Sequence, residues 1–210
     1  MSKARFITVE GTEGVGKSTH MAFIRAWLEN HGVSVLQTRE PGGTPLAEQI
    51  RTILLDATHT ALPAMAELLL MFAARADHVE QVIRPALTQG RWVLCDRFTD
   101  ASYAYQGGGR KLPARQIAVL ERMVLKGLKP DLTLLLDTPV HVGLSRVQGR
   151  GSKDRFELEQ HTFFERVRRT YLRRARREPR RIQVIEADGD LLAVQRRIGT
   201  VLESRIVRWL

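Results

Sequence analysis

Near the start of the chain, Gly11-Thr-Glu-Gly-Val-Gly16-Lys17-Ser18 carries the spacing G-x-x-x-x-G-K-S. That spacing suits a loop that surrounds phosphate. Its backbone N–H groups can converge on phosphate oxygens, and the helix that should follow adds partial positive charge at its N-terminus. Lys17 would reach the β- and γ-phosphates, and Ser18 would hold Mg²⁺. The expected nucleotide-binding run is therefore Gly11, Thr12, Glu13, Gly14, Val15, Gly16, Lys17, Ser18 and Thr19. This predicts a user of a nucleoside triphosphate with Mg²⁺. It leaves GTPase, motor, ATP-driven binder and kinase open. Glu13 is the odd member, a carboxylate inside an anion site.

Three further stretches combine arginine with residues that read small molecules: TREPGGTPLAEQIR (38–51), LLLMFAARADH (68–78) and CDRFTDASYAYQGGGR (95–110). Asp96 and Asp137 each end a strand-like run, so both compete for a metal role. Asp96 is preferred because Arg97 follows it directly. The six histidines are scattered and read as structural or surface residues.

These residues need a scaffold. Five short, nearly continuous apolar runs read as strands: 5–10, 33–38, 91–96, 132–137 and 181–186. Runs without polar alternation suit strands buried on both faces, as in a parallel sheet. Helical stripes lie between them: Met21, Ile24 and Leu28; Ile117, Leu120 and Val124; Val194, Ile198, Leu202 and Ile206. Thr44-Pro45 and Thr138-Pro139 read as an N-cap followed by proline at the first helical position. Gly127 with Pro130 closes a helix. The pattern predicts one α/β domain over residues 1–210, a parallel sheet with helices on both faces. In such sheets ligands bind outside the carboxyl ends of the strands, so the three stretches should converge on the side of the phosphate loop. The Gly-rich segments 105–113 and 148–154 read as mobile, functional loops.

Composition narrows the class. The 210 residues are 43% hydrophobic, enough for a real core. No apolar run reaches the ~18 residues of a membrane span, and the first residues resemble no secretory signal. The single cysteine, Cys95, is compatible with a reducing cytoplasm. The net charge of +10 favours an anionic partner. The excess is concentrated in residues 146–181, with 13 Lys/Arg against five Asp/Glu. The run 166–181 reads as mostly solvated surface, with Val167, Tyr171 and Leu172 turned inward.

Taken together, the phosphate loop, T-R-E-P-G-G-T, F-A-A-R, D-R-F and A-Y-Q-G-G-G resemble the bacterial thymidylate kinases over nearly the whole chain. The resemblance implies a P-loop nucleoside monophosphate kinase fold, with a five-stranded parallel sheet and a mobile lid at about 148–157. It implies transfer of the γ-phosphoryl group of MgATP to dTMP, in a cytoplasmic homodimer. Such an enzyme needs in-line placement and charge neutralisation more than a strong base, because the attacking oxygen is already anionic.

By the same resemblance, Arg97 grips the acceptor phosphate with help from Arg51. Asp96 sits near Mg²⁺. Arg75 binds the thymine carbonyl edge, and Ser102 and Gln106 complete the base contacts. Tyr105 crowds the 2′ carbon, Glu13 accepts from the 3′-hydroxyl, and Glu40 holds the loop or ligand waters. Where many relatives place a stacking aromatic, this chain has Met71, which is expected to line the base pocket, with its neighbour Phe72 as the alternative candidate. The phosphate loop lacks an arginine, so the charge on the transferring group should come from the lid, from Arg150, Lys153 or Arg155, with Glu157 alongside. The rival readings are a kinase for UMP, dCMP or a deoxynucleoside, and a basic P-loop NTPase that binds nucleic acid through 166–181. The latter run lacks interleaved aromatics for stacking. No N-K-x-D-like stretch supports a GTPase.

Overall fold

The computed structural model describes residues 3–58, 62–147 and 154–209. Five strands form one parallel sheet: β1 (Phe6–Glu10), β2 (Val35–Arg39), β3 (Trp92–Asp96), β4 (Leu132–Asp137) and β5 (Ile182–Glu186), in the order β2-β3-β1-β4-β5. The strands fall where the apolar runs predict them. β1, the central strand, is buried along its whole length. Register pairs Val9 with Asp96 and with Leu134, so the carboxyl ends of β1, β3 and β4 open on one edge.

Helices cover the sheet: α1 (Lys17–Asn30), α2 (Pro45–Leu55), α3 (Ala64–His78), α4 (Arg84–Thr88), α5 (Thr99–Ser102), α6 (Ala114–Leu125), α7 (Val140–Val147), α8 (His161–Arg177) and α9 (Leu191–Ile206). Met21, Ile24 and Leu28 of α1 share one core cluster with Val194, Ile198, Leu202 and Ile206 of α9 and with β1 and β4. Ile117 of α6 packs with Leu68 and Phe72 of α3, and Leu120 and Val124 flank them.

Of the two expected caps, one forms. The Ala47 N–H donates to Thr44 Oγ1 at 3.1 Å, worth about 1 kcal/mol. Thr138 Oγ1 is instead buried without a partner among the described residues, and the Pro139 carbonyl opens α7 by accepting from Val142 and Gly143.

The first Gly-rich segment is not a loop. Tyr103–Gly109 continues α5 as a π-helical turn packed on α8. Close approach explains its composition. A Cβ on Gly108 would lie 2.3 Å from Thr170 Oγ1, and one on Gly109 would lie 2.4 Å from the Phe163 ring. The basic run 166–181 also departs from a solvated surface. Arg169, Arg173, Arg176, Arg177 and Arg180 are exposed as expected. Arg174 and Arg181, however, converge on Asp100, whose side chain is 1% exposed. Burial pushes the Asp100 carboxyl up, but hydrogen bonds and charge from Arg181 and Arg174 outweigh it and hold it below the usual carboxylate range. These arginines fasten α8 and β5 to α5.

Candidate active site

The loop between β1 and α1 wraps Lys17. Its ammonium donates to the carbonyls of Gly11 (3.2 Å) and Thr12 (2.9 Å). The loop rests on α7 so tightly that a Cβ at Gly14, whose φ is +72°, would lie 1.9 Å from the Gly143 carbonyl oxygen. The Val15 side chain belongs to the core, which leaves its backbone for a ligand. Ser18 and Thr19 are exposed at the start of α1. Burial, then the charge of Arg97, lowers the Lys17 pKa from 10.5 to about 8. Burial and the neighbouring charge of Arg39 likewise lower that of Arg51. Burial first, and neighbouring positive charge second, disfavour the charged forms of Lys17 and Arg51, a cost that a bound anion would offset.

The fit to Mg²⁺ rests on Asp96. Its Oδ1 is buried and has no partner among the described residues. It shares a cleft with Ser18, Thr38 and Glu48. One carboxylate, one hydroxyl and phosphate oxygens are an ordinary donor set for Mg²⁺. The rival, Asp137, is neutralised: Arg168 Nε and Nη2 donate to its two oxygens at 2.7 and 2.8 Å.

Beside the phosphate loop lies a second cleft of about 110 Å³. Glu13, Glu40, Arg51, Met71, Arg75, Arg97, Ser102, Tyr105 and Gln106 all line it. Arg97 has a left-handed backbone, φ 66°. That conformation is held from both sides: the Arg97 N–H donates to Val9 O at 2.9 Å and the Phe98 N–H to Glu10 Oε1 at 2.7 Å. Tyr171 donates to the other Glu10 oxygen at 2.7 Å. The Arg97 guanidinium lies over the Tyr105 ring, 4.7 Å from its centroid, and donates through Nη2 to Glu13 at 3.0 Å. Its Nη1 is buried without a partner among the described residues. The Tyr105 hydroxyl donates to Glu13, 2.7 Å from each oxygen. Burial pushes the Tyr105 pKa far above its ordinary value, so the hydroxyl stays protonated.

Arg75 is fully sheathed. Nε donates to Glu40 at 2.7 Å, Nη1 to Ser102 Oγ at 3.0 Å and Nη2 to the Phe98 carbonyl at 3.2 Å. A guanidinium has five N–H groups, so each terminal nitrogen keeps one for a ligand. Glu40 is oriented in turn by His78 Nδ1 at 3.0 Å, and His78 Nε2 lies 2.7 Å from Thr38 Oγ1. Glu40 thus holds Arg75. Arg51 donates to the Pro41 carbonyl at 2.9 Å and so spans the same loop.

Two expectations are corrected. Phe72 does not line the cleft. It is 2% exposed and packs with Leu68 and Ile117; one residue along a helix is a turn of about 100°, which sends Met71 to the cleft and Phe72 to the core. Arg155 is not poised over a phosphate. It is buried, donating to the Leu54 carbonyl at 2.9 Å and pairing with Glu67 at 2.7 Å. Glu157, expected alongside, donates its N–H to Asp154 Oδ1 at 2.9 Å in the turn that follows. Arg150 and Lys153 lie outside the described residues. Leu55, Phe98, Ala101 and Phe156 also line the cleft, and sequence reasoning missed them. Phe98 was within reach, since it is the third residue of D-R-F.

A phosphate loop alone fits many NTPases. A second arginine-lined cleft that meets the loop at Glu13 narrows the class to phosphotransferases that hold donor and acceptor end to end, the nucleoside monophosphate kinases. The comparisons agree. The family model described as thymidylate kinase matches residues 9–198. The thymidylate kinase of Chromohalobacter salexigens is 57% identical over 100% of both chains. That of Pseudomonas putida is 56% identical over 97% of each. The crystal structure of thymidylate kinase from Ehrlichia chaffeensis superposes with a TM-score of 0.77 at 33% identity, covering 95% of this chain and 98% of that one. The chain belongs to the thymidylate kinase family.

Proposed function

We propose that the chain transfers the γ-phosphoryl group of MgATP to dTMP, giving dTDP and ADP. One observation carries this reading. A single cleft holds a phosphate-seeking arginine beside the P-loop, Arg97, and a rigid base-reading arginine, Arg75. Gly11 to Thr19 hold ATP. Ser18 and Asp96 would hold Mg²⁺, whose chemistry there would be neutralisation of phosphate charge. Lys17 stabilises the transferring group, and Arg97 with Arg51 aligns the acceptor phosphate. Met71 lies on the base, Arg75, Ser102 and Gln106 read its edge, and Glu13 accepts from the sugar. Tyr105, pinned by Glu13 and flanked edge-on by Phe156 and Phe163, closes the space that a 2′-hydroxyl needs. On sequence grounds the cation that closes over the transferring phosphate is Arg150, with Lys153 on ATP; Arg155 is held by the Leu54 carbonyl and Glu67. A coupled ADP-release assay with dTMP, dUMP, UMP and dCMP tests the reading. dTMP should give the highest kcat/KM, and faster turnover of UMP or dCMP overturns it.

The Lys17 pKa gives a pH dependence with a definite sign. Above pH 8 the amine loses its proton, so its grip on phosphate weakens. KM for ATP should rise roughly ten-fold by pH 9, one unit above that pKa. A KM flat from pH 7 to 9 contradicts a lowered pKa.

We also propose a homodimer in the cytoplasm; among the described residues no helix is long and apolar enough to cross a membrane. The face is apolar. Met65 (36% exposed), Leu69 (50%) and exposed Ala73 recur every four residues along α3, and Val119 and Met123 do so on α6, which packs beside it. Leu69→Glu should shift the sedimentation coefficient from dimer to monomer. An unchanged dimer would place the interface elsewhere.

A further inference from the structure

Glu67 lies within AELLLMFAA on α3, and its side chain has no exposure. Its carboxylate is ringed by donors. Arg155 Nη1 lies at 2.7 Å, Arg110 Nε at 3.1 Å and Gln106 Nε2 at 2.8 Å. A carboxylate paired with two guanidinium groups can only accept hydrogen bonds. That fixes Gln106. Flipping its amide would press a carbonyl oxygen against a carboxylate oxygen in a buried site, so the NH₂ group stays committed to Glu67.

The other end of the amide faces the acceptor cleft. Gln106 lines that cleft, and its Oε1 has no partner among the described residues and is not sealed off from it. Ser102, one helical turn earlier, holds Arg75, which lines the same cleft and keeps one N–H on each terminal nitrogen outside the bonds to Glu40, Ser102 and Phe98. The pair therefore offers a ligand one acceptor beside donors. An N–H next to a carbonyl complements that arrangement, as on the N3–O4 edge of thymine or uracil. A cytosine edge reverses both: its N3 accepts and its C4 amino group donates.

We propose that Glu67 is a specificity-determining positioning residue: by locking Gln106 as an acceptor, it makes the site select pyrimidines with an imide edge over amino-pyrimidines. The proposal rests on the reading of this cleft as the nucleotide acceptor site. Glu67 touches no substrate; it acts through Gln106.

The informative pair of substrates is dTMP and 5-methyl-dCMP, which differ only at that edge. In Glu67→Gln the new amide can donate as well as accept, so Gln106 can flip. The ratio of kcat/KM for dTMP to that for 5-methyl-dCMP should fall about ten-fold, the scale of one mispaired hydrogen bond. The exchange variant Glu67→Gln/Gln106→Glu keeps one negative charge and restores an acceptor-only group at 106. Its ratio should return to within a few-fold of the parent. A merely structural Glu67 would lower Tm and both kcat/KM values together and leave the ratio unmoved. A folded Glu67→Gln enzyme with a ratio within two-fold of the parent overturns the proposal. If Glu67→Gln does not fold, the exchange variant decides: a retained ratio supports the lock and a lost one overturns it. Gln106→Leu separates the two levels. If it keeps the parental ratio, the base-reading role of Gln106 fails, and the lock fails with it.

Discussion

Replacing Arg97 with alanine is expected to lower kcat/KM for dTMP by about 10²–10³-fold, the loss seen when one preorganised donor to a developing charge is removed. Three features set this size. The side chain is only 20% exposed and one of its nitrogens is buried and unpartnered among the described residues, so its interaction with phosphate is only partly screened by water. Its backbone is held left-handed by Val9 and by Glu10 through Phe98, so the geometry exists before substrate arrives. Its removal also strips Glu13 of one of its two donors and leaves a carboxylate facing an incoming phosphate. Arg97→Lys should fall between the two enzymes, because a lysine is a point charge without the planar fork. Steady-state kinetics with dTMP varied, and Tm as a control for folding, make the check. A kcat/KM within five-fold of the parent would sink the assignment.

Lys17→Met is expected to cost on the order of 10³-fold in kcat, by the same measure of a lost charge-stabilising donor, while leaving the protein no less stable at pH 7. The two halves have one cause. The folded-state pKa of about 8 lies below the ordinary 10.5, so the fold disfavours the charged form. That cost is fully present below pH 8 and fades between 8 and 10.5. The gap between the two pKa values amounts to roughly 3 kcal/mol at pH 7. A methionine of similar shape removes it and forfeits the two carbonyl contacts. Single-turnover kinetics and thermal unfolding at pH 7 and pH 10 test both halves. A Tm lowered by many degrees at pH 7, or a kcat near the parental value, contradicts them.

Much of this arrangement was legible in the sequence because it rests on local signals. All five strands fall within two residues of the apolar runs, since burial on both faces leaves no polar alternation to confuse the reading. The stripes of α1 and α9 turn inward as their spacing requires. The cleft gathers residues from T-R-E-P and D-R-F because each sits at a strand end, while F-A-A-R reaches it from within α3. What failed was set by distant partners. Three consecutive glycines read as a loop, yet two of them, Gly108 and Gly109, let α8 approach a helical turn, and Gly107 faces Ile117 of α6. Thr138 has the chemistry of a cap but is not used as one. Arg155 looked like a catalytic cation because its charge was visible and Glu67, far away in the chain, was not an obvious partner. Glu67 was overlooked for the converse reason. A lone carboxylate on an apolar helix reads as the solvent side until its arginines are known.

On the proposed assignment of the two subsites, Glu13 couples the binding of the two ligands. It belongs by backbone to the donor loop, while its carboxylate is held by Tyr105 and Arg97 of the acceptor cleft. Whatever shifts that carboxylate is felt by both subsites, so the two affinities are thermodynamically linked. Linkage is reciprocal: the factor by which dTMP changes the affinity for an ATP analogue must equal the factor by which the analogue changes the affinity for dTMP. One carboxylate thereby turns two adjacent binding sites into a single cooperative unit.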